Sequence, residues 1–168
     1  NKILESYGLK LNENLVLDIN NGLASFSQGF VTFTTNYPYW PKVVKPGFDQ
    51  NNPAVARLES LVLPWVSTID VSSEKTKDLA ISYLAVTSDK ALAMADNFKL
   101  EPQAQINGGI RGKFNLAVAL TGKFKSPFNQ VSSKPGNLIL VGDSDFIRDN
   151  FLKNYPDNLL FFQNVIDG

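Results

Sequence analysis

The chain has 168 residues, 43% of them hydrophobic, with 16 Lys+Arg balanced by 16 Asp+Glu, the profile of one globular domain with a real core. Zero net charge and the lack of any like-charge block exclude a global field that would attract nucleic acid or an anionic membrane. Cysteine and histidine are both absent, which removes disulfides, thiolate and imidazole metal sites, Cys nucleophiles and His-dependent triads.

In chain order, Lys2 to Tyr7 reads as the end of a helix stopped by Gly8. Leu15 to Asp18 is a short strand, followed by an Asn20-Asn21-Gly22 turn. Phe26 to Thr35, rich in β-branched and aromatic residues, is one strand or a hairpin. Residues 36 to 56 carry four prolines, at 38, 41, 46 and 53, and are expected to form a long irregular excursion. Leu58 to Val66 resumes as a strand, with Pro64 placing it at an edge or marking its end. Leu79 to Thr87 is a strongly apolar strand turning at Ser88-Asp89, and Ala91 to Ala95 is expected to be a short helix. Phe98 to Arg111 and Thr121 to Pro135 read as loops on either side of an apolar strand, Leu116 to Leu120.

The run Leu138 to Val141 then meets a Gly142-Asp143-Ser144-Asp145 turn and a helix-like stretch, with Asn158 to Ile166 as a closing helix. Unbroken apolar runs are typical of strands buried on both faces of a parallel sheet. The expected fold is therefore α/β, a single domain over residues 1–168 with a mixed, mainly parallel central sheet flanked by helices. No run of about 18 apolar residues exists to span a membrane. The chain starts at Asn1 with no initiator Met or signal-peptide pattern, as expected for a piece of a longer protein.

Several strands end in small polar or acidic residues: Asp18, then Ser88 and Asp89, then Asp143 and Asp145. On a parallel sheet these would share one rim, a candidate ligand site built from carboxylates and N–H groups. Helix capping and turn preference account for the same residues without any ligand. A second candidate is Tyr37, Tyr39 and Trp40, three aromatics interleaved with Pro38 and Pro41. They could form a stacking platform for a sugar or a partner protein, or fold their rings onto the domain's own core.

Specific catalytic motifs fail on named residues. Asp143-Ser144-Asp145 resembles the phosphoaspartate motif of haloacid-dehalogenase phosphatases, but too little sequence follows it for the partner motifs. A Gly-Asp-Ser lipase arrangement needs a histidine. A metal-binding Asp-x-Ser-x-Ser site meets Asp145 and Ile147 instead of Ser. Gly112-Lys113 and Gly122-Lys123 are each followed by Phe rather than Ser or Thr, and neither has the spacing of a phosphate-binding loop. No catalytic residue, metal ligand or cofactor is assigned.

The motifs in succession resemble a known family. They are Tyr7-Gly8, Val16-Leu-Asp18, Asn36-Tyr-Pro-Tyr-Trp40, Leu61-Val-Leu-Pro-Trp-Val-Ser67, Leu84-Ala-Val-Thr-Ser88, Val118 to Ser126, Leu140-Val-Gly-Asp-Ser-Asp145 and Phe162-Gln-Asn-Val-Ile-Asp167. Their order and spacing are similar to the GldG-like auxiliary components of ABC-type transport systems, related to gliding motility and to the GIFT domain.

The resemblance implies a fold like class I glutamine amidotransferases (flavodoxin-like), on the periplasmic, extracytoplasmic face of the inner membrane. It also implies a parent protein anchored by segments outside this chain, of which this would be the C-terminal part. The implied partners are an ABC ATPase and a permease, the implied role is non-catalytic binding or assembly, and a cell-envelope glycan is a further possible ligand. The alternative is a carboxylate-dependent hydrolase of glycans or phosphoesters, needing two carboxylates about 5 to 10 Å apart in an open cleft.

Overall fold

The computed structural model describes residues 1–102, 104–125 and 132–167. Helix α1 (Lys2–Ser6) opens the chain. Strands β1 (Leu9–Leu11), β2 (Leu15–Leu17), β3 (Asn21–Gln28), β4 (Val31–Val44), β5 (Ser60–Val62), β6 (Ile69–Val71), β7 (Ala80–Val86), β8 (Ala91–Met94), β9 (Ile110–Gly112), β10 (Asn115–Lys125) and β11 (Ser132–Val141) follow. Helices α2 (Asp149–Asn154) and α3 (Pro156–Asp167) close it.

The expected parallel, flavodoxin-like sheet is not what these strands build. Every strand pair among the described residues is antiparallel, in four small sheets ordered β1-β6, β11-β10-β7, β2-β8-β9 and β3-β4-β5. Parallel neighbours need long crossovers, usually helices. Here the helices lie at the two ends of the chain, and β3 meets β4 through only Gly29 and Phe30.

Of the apolar runs that suggested a parallel sheet, only that of β10 is buried on both faces; β7 leaves Ile81 and Tyr83 exposed, and Leu138 to Val141 of β11 are half-buried. In β10, Leu116, Ala117 and Ala119 face the main core with Leu58, Leu61, Leu84 and Phe161. Val118 and Leu120 join a separate cluster with Leu9 and Ile69 of the β1-β6 ribbon. A run of apolar residues carries no information on strand direction.

Three local expectations are corrected as well. Ala91 to Ala95 forms no helix: β8 is a strand between β2 and β9, where pairing overrides alanine's helical preference. The first part of the proline-rich excursion, up to Val44, is β4, which passes through Pro38 and Pro41, while the remainder is irregular as expected. Those prolines sit where the strand changes partner, and their carbonyls still accept hydrogen bonds, Pro38 from Asp18 N (3.1 Å) and Pro41 from Leu63 N (3.0 Å). Much of the loop expected after Leu120 is the β10–β11 hairpin, although residues 126–131 lie outside the described residues.

Other features follow the local signals. Gly8 stops α1 at φ +84°, and Gly29 turns the β3–β4 hairpin at φ +62°, in the first position of a two-residue loop. Helix α3 is bound to β5 by polar side chains. Asn158, fully buried, accepts from Val62 N (3.1 Å) and donates to the carbonyls of Val62 (2.8 Å) and Phe146 (3.0 Å). Asp157 accepts from the amides of Glu59 and Ser60, each at 3.0 Å. Together they act as a substitute strand along the edge of β5. Among the described residues no helix is long and apolar enough to cross a membrane.

Candidate functional site

Asp18 and Ser88 meet at the ends of β2 and β7, though 70 residues separate them in sequence. The Asp18 carboxylate is buried and accepts three hydrogen bonds: from Ser88 N (2.8 Å), Ser88 Oγ (2.6 Å) and Asn20 N (3.2 Å). This latch joins the β2–β3 turn to the β7–β8 turn. Its donors leave the carboxylate little capacity for a ligand.

Ser88 and the exposed Asp89 line a cleft beside that latch, of about 310 Å³, with Asn20, Lys42, Val86 and Lys113. A second lobe of about 450 Å³ continues past Pro46 and Gly47 to Phe48, Asp49, Ile81 and Tyr83. The lobes share Pro46, Gly47, Val86 and Lys113, and so adjoin one another where the turn at Lys45–Gly47 meets the end of β7. Glycine at 47 is required by this close approach: a Cβ there would run into the Val86 carbonyl oxygen.

Asp143 and Asp145 form a separate group at the end of β11. Asp143 Oδ1 accepts from Asp145 N (2.7 Å), while its Oδ2 is buried with no partner. Burial, reinforced by the Asp145 charge, pushes the Asp143 carboxyl up to about 7, against the opposing amides of Asp145, Phe146 and Ser144. Asp145 pairs with Arg148 at 3.3 Å. Neither aspartate lines the groove, so the rim expected from a parallel sheet is divided between two places. Among the described residues no acidic cluster has the arrangement to hold a metal ion.

Tyr37 and Tyr39 are buried, and Trp40 is half-buried. Their rings pack with one another and with Phe26, Trp65 and Phe151; Trp40 stands edge-on to Phe151 at 4.7 Å, anchoring α2 to β4. The Tyr37 hydroxyl donates to the Leu100 carbonyl (2.8 Å), and burial raises the pKa of both tyrosines. These rings work inside the domain, and Trp65 alone of the cluster's indoles shows much surface.

Sequence reasoning passed over the groove's lysines and the β3–β4 arm. From Ile19 to Pro41 the chain carries no charged residue. The arm projects Leu23, Phe30 and Val31 into solvent, with Phe30 fully exposed at its tip. One face is a hydroxyl ladder, Ser25 with Thr34 (2.8 Å) and Ser27 with Thr32 (3.1 Å), and the other stacks Phe26 on Phe33. The missing charge was a readable signal. The meeting of Lys42 with Lys113 was not, because no local pattern joins them.

The family model described as an ABC-type uncharacterized transport system matches residues 1–165. The chain belongs to that family. The family's name describes an auxiliary component of an ABC-type transport system. An uncharacterized protein of Borreliella burgdorferi (strain B31) is 26% identical over 171 residues, covering 98% of this chain and 33% of its own length. The chain thus spans about a third of the curated relative it matches.

Proposed function

We propose that this domain is a non-catalytic binding and assembly module of an ABC-type transport auxiliary protein of the GldG-like kind. It works on the extracytoplasmic face of the membrane and docks onto the permease of a complex that also contains the ATPase. The observation that carries the reading is the β3–β4 arm. A protruding, uncharged hairpin with a fully exposed Phe at its tip is costly to leave in water and is suited to a desolvated protein interface. Membership of a family named for an ABC-type transport system supports a transporter subunit as that partner.

A glycan is the weaker ligand, because Tyr37 and Tyr39 are turned into the core and offer no open stacking surface. The hydrolase reading has less support still. Asp143 is held by the Asp145 amide, Asp145 by Arg148, and neither opens on the groove.

Affinity purification of the full-length protein from solubilised membranes, followed by mass spectrometry, tests this. The expected result is co-recovery of an ABC permease and ATPase, lost in the Phe30→Ser/Val31→Ser variant while the variant's melting temperature is unchanged. Equal recovery by wild type and variant would remove the arm from the interface. Recovery of neither subunit would remove the function itself.

A further inference from the structure

We propose that the outer edge of β11 takes a further β-strand, supplied by the part of the full-length polypeptide outside residues 1–168. This edge belongs to a different sheet from the β3–β4 arm, so its role is independent of the docking proposed for that arm.

Strand β11 ends the sheet β11-β10-β7 and is paired on one side only, with β10. Gly142 N donates to Leu116 O (2.9 Å), which makes these two a hydrogen-bonded pair continuing the ladder beyond Val141. Bonded and non-bonded pairs alternate along antiparallel strands. Leu140 and Leu138 therefore bond to β10, while the N–H and C=O groups of Ile139 and Val141 point away from it. Among the described residues nothing hydrogen-bonds to those outward groups.

The side chains have the pattern of an interior strand. Ile139 and Val141 pack on the main core, whereas Leu138 and Leu140 pack on the cluster around Leu9 and Ile69. All four are half-buried, and none is charged or proline. Exposed edges are normally blunted by lysine, proline or a covering group. On β11 such residues, the exposed Lys134 and Pro135, stand only near its start. Elsewhere the fold covers its edges with side chains. Asp157 and Asn158 take the amides of Glu59, Ser60 and Val62 along β5, and the Tyr155 hydroxyl takes both backbone groups of Leu23 on β3. The edge from Leu138 to Val141 has no such cover.

The size of this edge decides what fits it. Four residues span about 13 Å at about 3.3 Å each, and a strand laid along them buries on the order of a few hundred Å². A stable interface between separate proteins takes roughly 1,200 Å² or more, so a second copy pairing edge to edge falls short. A strand tethered in the same polypeptide meets the edge at about millimolar effective concentration and needs far less area. The Borreliella burgdorferi relative is matched over 33% of its length, which leaves the larger part of that protein outside the match. The incoming segment must be an unbroken apolar, proline-free run, because successive residues of β11 lie over different apolar clusters.

Hydrogen exchange at residue resolution tests this on the full-length protein, purified in detergent without transporter subunits. Leu138 and Leu140, bonded to β10, are the internal reference. Ile139 and Val141 should exchange within about tenfold of that pair, and a hundredfold dilution of the protein should leave them unchanged. Faster exchange at Ile139 and Val141 would overturn the proposal. Protection lost on dilution would give the edge to a second copy, and protection gained only on adding permease and ATPase would give it to the transporter; either overturns it.

A second arm identifies the occupant. Benzoylphenylalanine replaces Asn137, which is exposed beside the edge, and the adducts are mapped by mass spectrometry. The expected adduct is intramolecular and lies in an apolar, proline-free segment outside residues 1–168. Adducts confined to residues 1–168, or joining two chains, would overturn the proposal.

Discussion

Replacing Asp143 with Asn should flatten part of the domain's stability-versus-pH profile. Its carboxyl ordinarily titrates near 3.8 and is raised to about 7 in the fold, chiefly by burial. The folded state therefore holds a proton that the unfolded chain has released. Between those values stability falls as pH rises, and the loss is complete above the folded value. At 1.36 kcal/mol per pH unit the full displacement corresponds to about 4 kcal/mol, of which about 2 to 3 kcal/mol accrues between about pH 5 and about pH 8.

The site keeps some contact with solvent, which brings the expected change to about 1 to 2 kcal/mol. Asn retains the oxygen that accepts from Asp145 N (2.7 Å in the native structure) but cannot ionise. Urea unfolding of both proteins across that range measures the effect. Wild type should lose about 1 to 2 kcal/mol relative to the variant on going to the alkaline end. Parallel profiles, or a variant that loses more, would refute the assignment of a proton to Asp143 near neutrality.

Three further substitutions probe the scaffold. Asn158→Ala removes a buried amide that makes three hydrogen bonds to Val62 and Phe146, and should cost about 3 kcal/mol in urea unfolding. A cost below about 1 kcal/mol would show that α3 is not held to β5 in this way. Gly142→Ala places a methyl group against the Ser67 carbonyl and should cost about 1 to 3 kcal/mol, seen as a lower melting temperature. Tyr155→Phe deletes the hydroxyl that accepts from Leu23 N and donates to Leu23 O, each at 3.0 Å. It should cost about 1 kcal/mol and speed amide exchange at Leu23; unchanged exchange there would contradict the role of Tyr155 as a cap on that edge.

The sequence was read best where local signals were strong. The apolar runs of β7, β10 and β11 and the closing helix α3 lie where hydrophobic pattern placed them, and Phe26 to Thr35, expected as one strand or a hairpin, is the hairpin of β3 and β4. Strand direction was not legible, because a run such as Leu116 to Leu120 is equally apolar whether helices or other sheets cover it. Proline misled at 38 and 41, where β4 changes partner and loses no ladder bond it needs. Alanine misled at Ala91 to Ala95, where tertiary pairing decided the element.

The candidate site divides in the same way. Asp18 and Ser88 were legible as polar residues at strand ends, but their hydrogen bond depends on turns that only the fold brings together. Tyr37, Tyr39 and Trp40 stood out as a group, and nothing local told which way their rings would turn. Lys42 and Lys113 belong to no motif at all.

The central claim, that this domain assembles onto a transporter through its β3–β4 arm, is tested most directly by photo-cross-linking. Benzoylphenylalanine is placed at Phe30 of the full-length protein in native membranes, and the adducts are identified by mass spectrometry. The account predicts a covalent adduct to an ABC permease, absent when the photoreactive residue replaces Ile166 on α3. Adducts confined to unrelated proteins, or equal permease adducts from both positions, would contradict it.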